Sequence, residues 1–213
     1  MSDLTIEAEL RSSRGRLIAT SVFGAAAVVA DFALVLTEQQ SWIFPRMLLA
    51  TIVLVVYIHL GAGKPPGFRI PSWPEWRGWL TFLGVGGTLL AVGATLAHLW
   101  FDVPFRDPHT QLSWVAVNAC VAAPIYEEVI YRVALASPSA ALLGRRWAIV
   151  LNGLVFAGLH VAYGNPDPSN AVGGFVLAWI YLRSRSVALA ILAHAIGNLA
   201  INFGPVLYEH LRT

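Results

Sequence analysis

The chain has 213 residues, of which 57% are hydrophobic and 12% charged, with a mean hydropathy of +0.64, a composition outside the range of water-soluble globular domains. A formal charge of +2, with 14 basic residues scattered along the chain, excludes a nucleic-acid footprint. Cys120 is the single cysteine, so no intramolecular disulfide is possible; it reads as small apolar packing rather than as a nucleophile.

Seven apolar segments follow in chain order, at about 17–37, 43–62, 78–100, 112–137, 147–163, 169–183 and 186–204. The first is preceded by Arg11, Arg14 and Arg16 as a signal peptide would be, but its run of about 21 residues is long enough to cross roughly 30 Å of hydrocarbon. It is therefore expected to stay as a transmembrane helix. Between the second and third segments, Ile70 to Leu80 carries three tryptophans among mixed charges, which suits a stretch at the headgroup level. Turn-formers in Gly61 to Gly67, Phe101 to Thr110 and Gly164 to Asn170 separate the segments. The expected architecture is all-α, a polytopic transmembrane helix bundle of about seven spans forming one membrane domain, 1–213.

Alternate connections differ in basic residues. One side holds ten (Arg11, Arg14, Arg16, Lys64, Arg69, Arg77, Arg145, Arg146, Arg183, Arg185) and the other three (Arg46, Arg106, Arg212). By the positive-inside rule the N-terminus is expected in the cytoplasm. No internal repeat supports an inverted-repeat transporter.

Ionisable groups at bilayer depth are costly and usually face a partner or a wet cavity, so they mark candidate sites. The fourth segment holds Glu127, Glu128 and Arg132. Glu128 and Arg132, four apart, share a helical face and can pair, whereas Glu127 points about 100° away from that arginine. A desolvated carboxylate without a dedicated cation can accept a proton from water near neutral pH, which makes Glu127 the general-base candidate. Pro124, three residues earlier, removes a backbone hydrogen bond and opens space beside it.

The fifth segment carries Asn152, Phe156 and His160 at four-residue intervals, a stripe of amide, aromatic ring and imidazole. In the seventh, His194 and Asn198 are again four apart and present two hydrogen-bond donors, as a developing tetrahedral oxyanion requires. Measured from the cytoplasmic ends, Glu127, His194, Asn198 and His160 come out about 15, 12, 18 and 21 Å deep, around the midplane. Asp31 is another intramembrane carboxylate, with no spaced partner. His59, His98, His109 and His210, near helix ends or in a loop and tail, are given no catalytic work.

Together the three motifs, Glu127-Glu128-x-x-x-Arg132, Phe156-x-x-x-His160 and His194-x-x-x-Asn198, resemble the CPBP family of CAAX proteases and bacteriocin-processing enzymes, also called Abi proteins. The resemblance covers a catalytic core of about residues 112–204. It implies a glutamic intramembrane endopeptidase with no cofactor and no obligatory metal, in which Glu127 activates water with His160 beside it. His194 and Asn198 would form the oxyanion site, with Glu128 and Arg132 as the supporting ion pair. Tyr131 stands where the family commonly has phenylalanine, and Val133 where glycine often follows the arginine. The partners expected are the lipid bilayer and a membrane-associated peptide or protein, cut near its C-terminus, with short arginine-bearing loops pointing to a bacterial plasma membrane. Two other readings use the same residues: a zinc hydrolase with Glu127, His160 and His194 as ligands, although no His-Glu-x-x-His helix is present, and a non-catalytic transporter or immunity protein.

Overall fold

The computed structural model describes residues 6–37, 43–60, 67–101 and 117–212, except for the side chains of Glu9, His98, Phe101 and residues 204–212. Eight helices are found there: α1 (Ile6–Arg11), α2 (Arg14–Leu36), α3 (Ile43–Leu60), α4 (Trp73–Phe101), α5 (118–143), α6 (Arg145–Ala162), α7 (Pro168–Ser184) and α8 (Val187–Arg212). Each of the seven apolar segments falls on one of α2 to α8. The expected turn at 61–66, most of that at 101–110, the residues 112–116, Lys64, Arg106, His109, and the side chains of His98, His210 and Arg212 lie outside the described residues.

The protein is all-helical and membrane-embedded. Among the described residues, three helices, Arg14–Leu36, Ile43–Leu60 and Trp73–Ala97, are long and apolar enough to cross a bilayer, and Val187–Phe203 is a shorter apolar stretch. Their outward faces fit lipid, since Val22, Val29, Phe44, Leu89 and Trp100 are exposed. Helix α4 begins earlier than its apolar run. The Ser72 amide and hydroxyl both donate to Glu75 Oε2 at 2.8 Å, a capping-box arrangement that starts the helix at Trp73 and puts the tryptophan-rich stretch into its first turns.

Two compact units divide the chain. One comprises Met1–Ile70 with Ile125–Ile191, the other Pro71–Pro124 with Leu192–Thr213. In the first, α2 and α3 each bury a narrow stripe, Thr20, Gly24, Ala27, Asp31 and Val35 on α2 and Arg46, Ala50, Val53 and Tyr57 on α3. The spacing of three and four residues keeps each stripe on one face. Gly24 is needed for the approach of α2 to α5, because a Cβ there would lie 1.9 Å from the Ala134 carbonyl oxygen. At Gly153 on α6 a Cβ would meet the Phe175 ring of α7 at 2.4 Å, so these two helices also pack through a bare backbone.

Helix α5 is not a regular α-helix. Residues Asn118–Ala122 and Glu128–Ala136 are π-wound, with Ala123 N–H donating to Asn118 O and Ser137 N–H to Arg132 O. The wider turn leaves carbonyl oxygens within reach of neighbouring side chains. Ala134 O accepts from the Tyr57 hydroxyl at 3.0 Å, Tyr131 O from Asn152 Nδ2 at 2.5 Å, and Arg132 O from the Ser137 hydroxyl at 3.2 Å. The second π segment is buried along nearly its whole length and carries Glu128 and Arg132. At the start of α8 a short antiparallel bridge joins Phe68 to Ser186, with Val187 N–H donating to Gly67 O at 2.7 Å. In the second unit α4 meets α8 at Gly87, where a Cβ would touch Ile196.

Candidate active site

Glu127 closes the short α-helical turn Ala123–Glu127 between the two π segments of α5 and is 4% exposed. Its Oε1 lies 3.5 Å from Nη1 of Arg46, a fully buried residue on α3. This corrects two expectations. Glu127 does face a cation, and Arg46 is not a connection residue on the external side but part of the buried stripe of α3, so it drops out of the topology count.

Arg46 also supplies the partner that Asp31 was expected to lack. Its Nε donates to Asp31 Oδ1 at 2.6 Å and its Nη2 to Asp31 Oδ2 at 2.8 Å, a forked pair with both side chains buried. Tyr131 adds a hydroxyl bond to Asp31 Oδ2 at 2.7 Å, and Arg46 Nη1 reaches the Tyr126 hydroxyl at 3.1 Å. The guanidinium lies over the rings of Tyr126 and Tyr163, at 4.2 and 5.2 Å from their centroids. One cation thus serves two carboxylates, gripping Asp31 with two nitrogens and meeting Glu127 with the third.

A second buried pair lies on the same helix. Arg132 Nε donates to Glu128 Oε2 at 2.8 Å and Nη2 to Oε1 at 3.3 Å, with both side chains fully buried. The third nitrogen of Arg132 bonds Asn152 Oδ1, so the amide at the start of the α6 stripe satisfies the guanidinium while its own Nδ2 takes the Tyr131 carbonyl. Phe156 lies under Arg132 at 4.9 Å and meets the Tyr131 ring edge-on at 5.5 Å. The ion pair expected from the i, i+4 spacing is formed. The stripe on α6 finishes its coordination.

His160 ends that stripe. Its Nδ1 lies 3.0 Å from Phe156 O, and its ring packs against Phe156 at 4.5 Å and Tyr163 at 5.8 Å. With Nδ1 directed to the backbone, Nε2 is the ring nitrogen turned away from Phe156 O. Since Tyr163 also faces Arg46, His160 belongs to the same aromatic and cationic surroundings as Glu127.

In the second unit, His194 and Asn198 stand one turn apart on α8. His194 is buried and Asn198 half-buried. Asn198 Nδ2 donates to Ala119 O at 2.6 Å, in the first π segment, which fixes the amide's orientation and leaves its second N–H to donate elsewhere. Among the described residues, no three His, Cys, Asp or Glu side chains are grouped as a metal ion would need.

Carboxylates, guanidinium groups and imidazole held inside apolar helices are costly there and mark a candidate functional site. Residues 109–200 match the family model described as Rce1-like, type II CAAX prenyl endopeptidase. All three motifs lie inside the match, which supports a likeness of this segment to the CPBP, or CAAX-protease, family of intramembrane endopeptidases. Neither the curated proteins nor the solved structures yield a match to the chain.

Sequence reasoning missed Arg46 and its grip on Asp31. The signal was present, because each is a lone charge within an apolar run and the two are opposite in sign on consecutive segments.

Proposed function

We propose that the protein is a glutamic endopeptidase of a bacterial plasma membrane, crossing it seven times with its N-terminus in the cytoplasm. It hydrolyses a peptide bond near the C-terminus of a membrane-associated protein. The observation that carries this reading is the setting of Glu127, buried within the family match and in contact with a guanidinium already committed to a second carboxylate.

In the first step Glu127 takes a proton from water as the water oxygen bonds to the scissile carbonyl carbon, and the carbonyl electron pair moves onto oxygen. His194 and Asn198 donate hydrogen bonds to that oxyanion, the interaction that strengthens most on the way to the transition state. Collapse of the tetrahedral species breaks the C–N bond, and the proton held by Glu127 passes to the leaving amine. His160, with Nδ1 anchored to Phe156 O, serves through Nε2 as the proton relay beside the base. Glu128 and Arg132 brace the helix that carries Glu127 without taking part in proton transfer.

Purified protein in proteoliposomes, supplied with fluorogenic peptides that mimic lipid-anchored C-termini, tests the reading. Wild type should cleave and Glu127→Gln should not, with activity surviving a metal chelator. Equal cleavage by Glu127→Gln would rule out the mechanism, and chelator-sensitive activity restored by zinc would assign it to a metal.

A further inference from the structure

Two fully buried charged residues of the first unit, Asp31 on α2 and Arg46 on α3, have no part in the motifs. A structural ion pair would be complete with the two forked bonds at 2.6 and 2.8 Å. The third nitrogen goes further, to the Tyr126 hydroxyl at 3.1 Å and to Glu127 Oε1 at 3.5 Å. Buried ion pairs seldom stabilise more than apolar residues of the same volume would, so stability alone is a weak reason for this one.

Resting on the assignment of Glu127 as the base, we propose that Asp31 and Arg46 are a positioning pair that aims the Glu127 carboxylate while denying it a closed, forked salt bridge. Geometry and charge count support this together. One guanidinium is shared between two carboxylates. Asp31 holds its share through two Arg46 nitrogens and the Tyr131 hydroxyl.

Glu127 meets the same cation through Nη1 at 3.5 Å, the other two nitrogens being held by Asp31, and this contact orients one carboxylate oxygen. With Asp31 neutral, Arg46 would be drawn toward a forked pair with Glu127, and the base would be quenched. Without Arg46, Glu127 would lose the 3.5 Å contact to its guanidinium. The planes of Tyr126 and Tyr163 restrict the guanidinium to the orientation that serves both carboxylates.

The test compares wild type, Asp31→Asn, Arg46→Lys, Arg46→Gln and the double variant Asp31→Asn/Arg46→Gln, each purified and reconstituted. The double variant removes both charges and keeps a neutral hydrogen-bonding pair, so its thermal midpoint should stay close to wild type. Its kcat should fall about 100-fold with KM little changed, as for a reacting group displaced by about 1 Å. Arg46→Lys, which keeps the charge and loses the fork, should fall in between.

A second readout is independent of turnover. The Glu127 carboxylate bands, isolated by infrared difference against Glu127→Gln, should shift in both Asp31→Asn and Arg46→Gln. Wild-type kcat in the folded double variant, or unchanged Glu127 bands in both single variants, would overturn the proposal. If Glu127→Gln itself cleaves normally, the hydrolytic mechanism fails on its own, and the infrared comparison still decides whether this pair governs Glu127.

Discussion

Asn152 offers a quantitative check on how the buried charges are satisfied. It is fully buried on α6, its Oδ1 accepts from Arg132, and its Nδ2 donates to the Tyr131 carbonyl at 2.5 Å. Asn152→Leu has nearly the same volume and removes both bonds. The bond to the guanidinium is charge-assisted and contributes about 1.5–3 kcal/mol, and an unsatisfied buried carbonyl costs about 1–3 kcal/mol. The extra apolar contact of leucine offsets part of this, about 1–2 kcal/mol. A net loss of about 2–3 kcal/mol is expected, or roughly 30- to 150-fold in the folded-to-unfolded ratio. Reversible unfolding in mixed micelles measures it, with Leu154→Ala, an exposed position on the same helix, as a control expected within about 0.5 kcal/mol. If Asn152→Leu unfolds like the control, Arg132 does not depend on Asn152 and the role assigned to the α6 stripe is wrong.

Gly24→Ala should destabilise by about 1–3 kcal/mol in the same assay, because its Cβ would overlap the Ala134 carbonyl, whereas Gly84→Ala, with nothing within 4 Å, should be neutral. Arg132→Met should cost about 3–5 kcal/mol by stripping Glu128 of its buried cation, and adding Glu128→Gln should recover most of that loss; no recovery would mean that the pair does not act as a unit. His194→Ala and Asn198→Ala should each lower kcat about 100- to 1,000-fold with modest change in KM, as loss of an oxyanion donor does; a rise in KM alone would reassign them to substrate binding.

The helices were legible because hydrophobic runs interrupted by glycine and proline define them with little help from tertiary contacts. Their edges were less so. Helix α4 starts at Trp73, since the Ser72–Glu75 cap, rather than hydropathy, sets its first turn. Spacing revealed Glu128 with Arg132 because both partners sit on one helix. It could not reveal Arg46 with Asp31, 15 residues apart on two helices, because such a pair depends on how those helices pack. The π winding of α5 was hidden for a similar reason, as its carbonyls are held by Tyr57 and Asn152 from other helices. Local periodicity thus found the Glu127 motif but not its neighbour Arg46, a cation that Glu127 shares with Asp31.

In the proposed mechanism Glu127 performs proteolysis within the membrane. Comparing the C-termini of the membrane proteome in cells carrying wild type and Glu127→Gln, at matched expression, tests it most directly. One or a few proteins should show shortened C-termini only with wild type and stay full-length with Glu127→Gln. Identical C-termini in the two strains, with the wild-type protein folded and present, would contradict it.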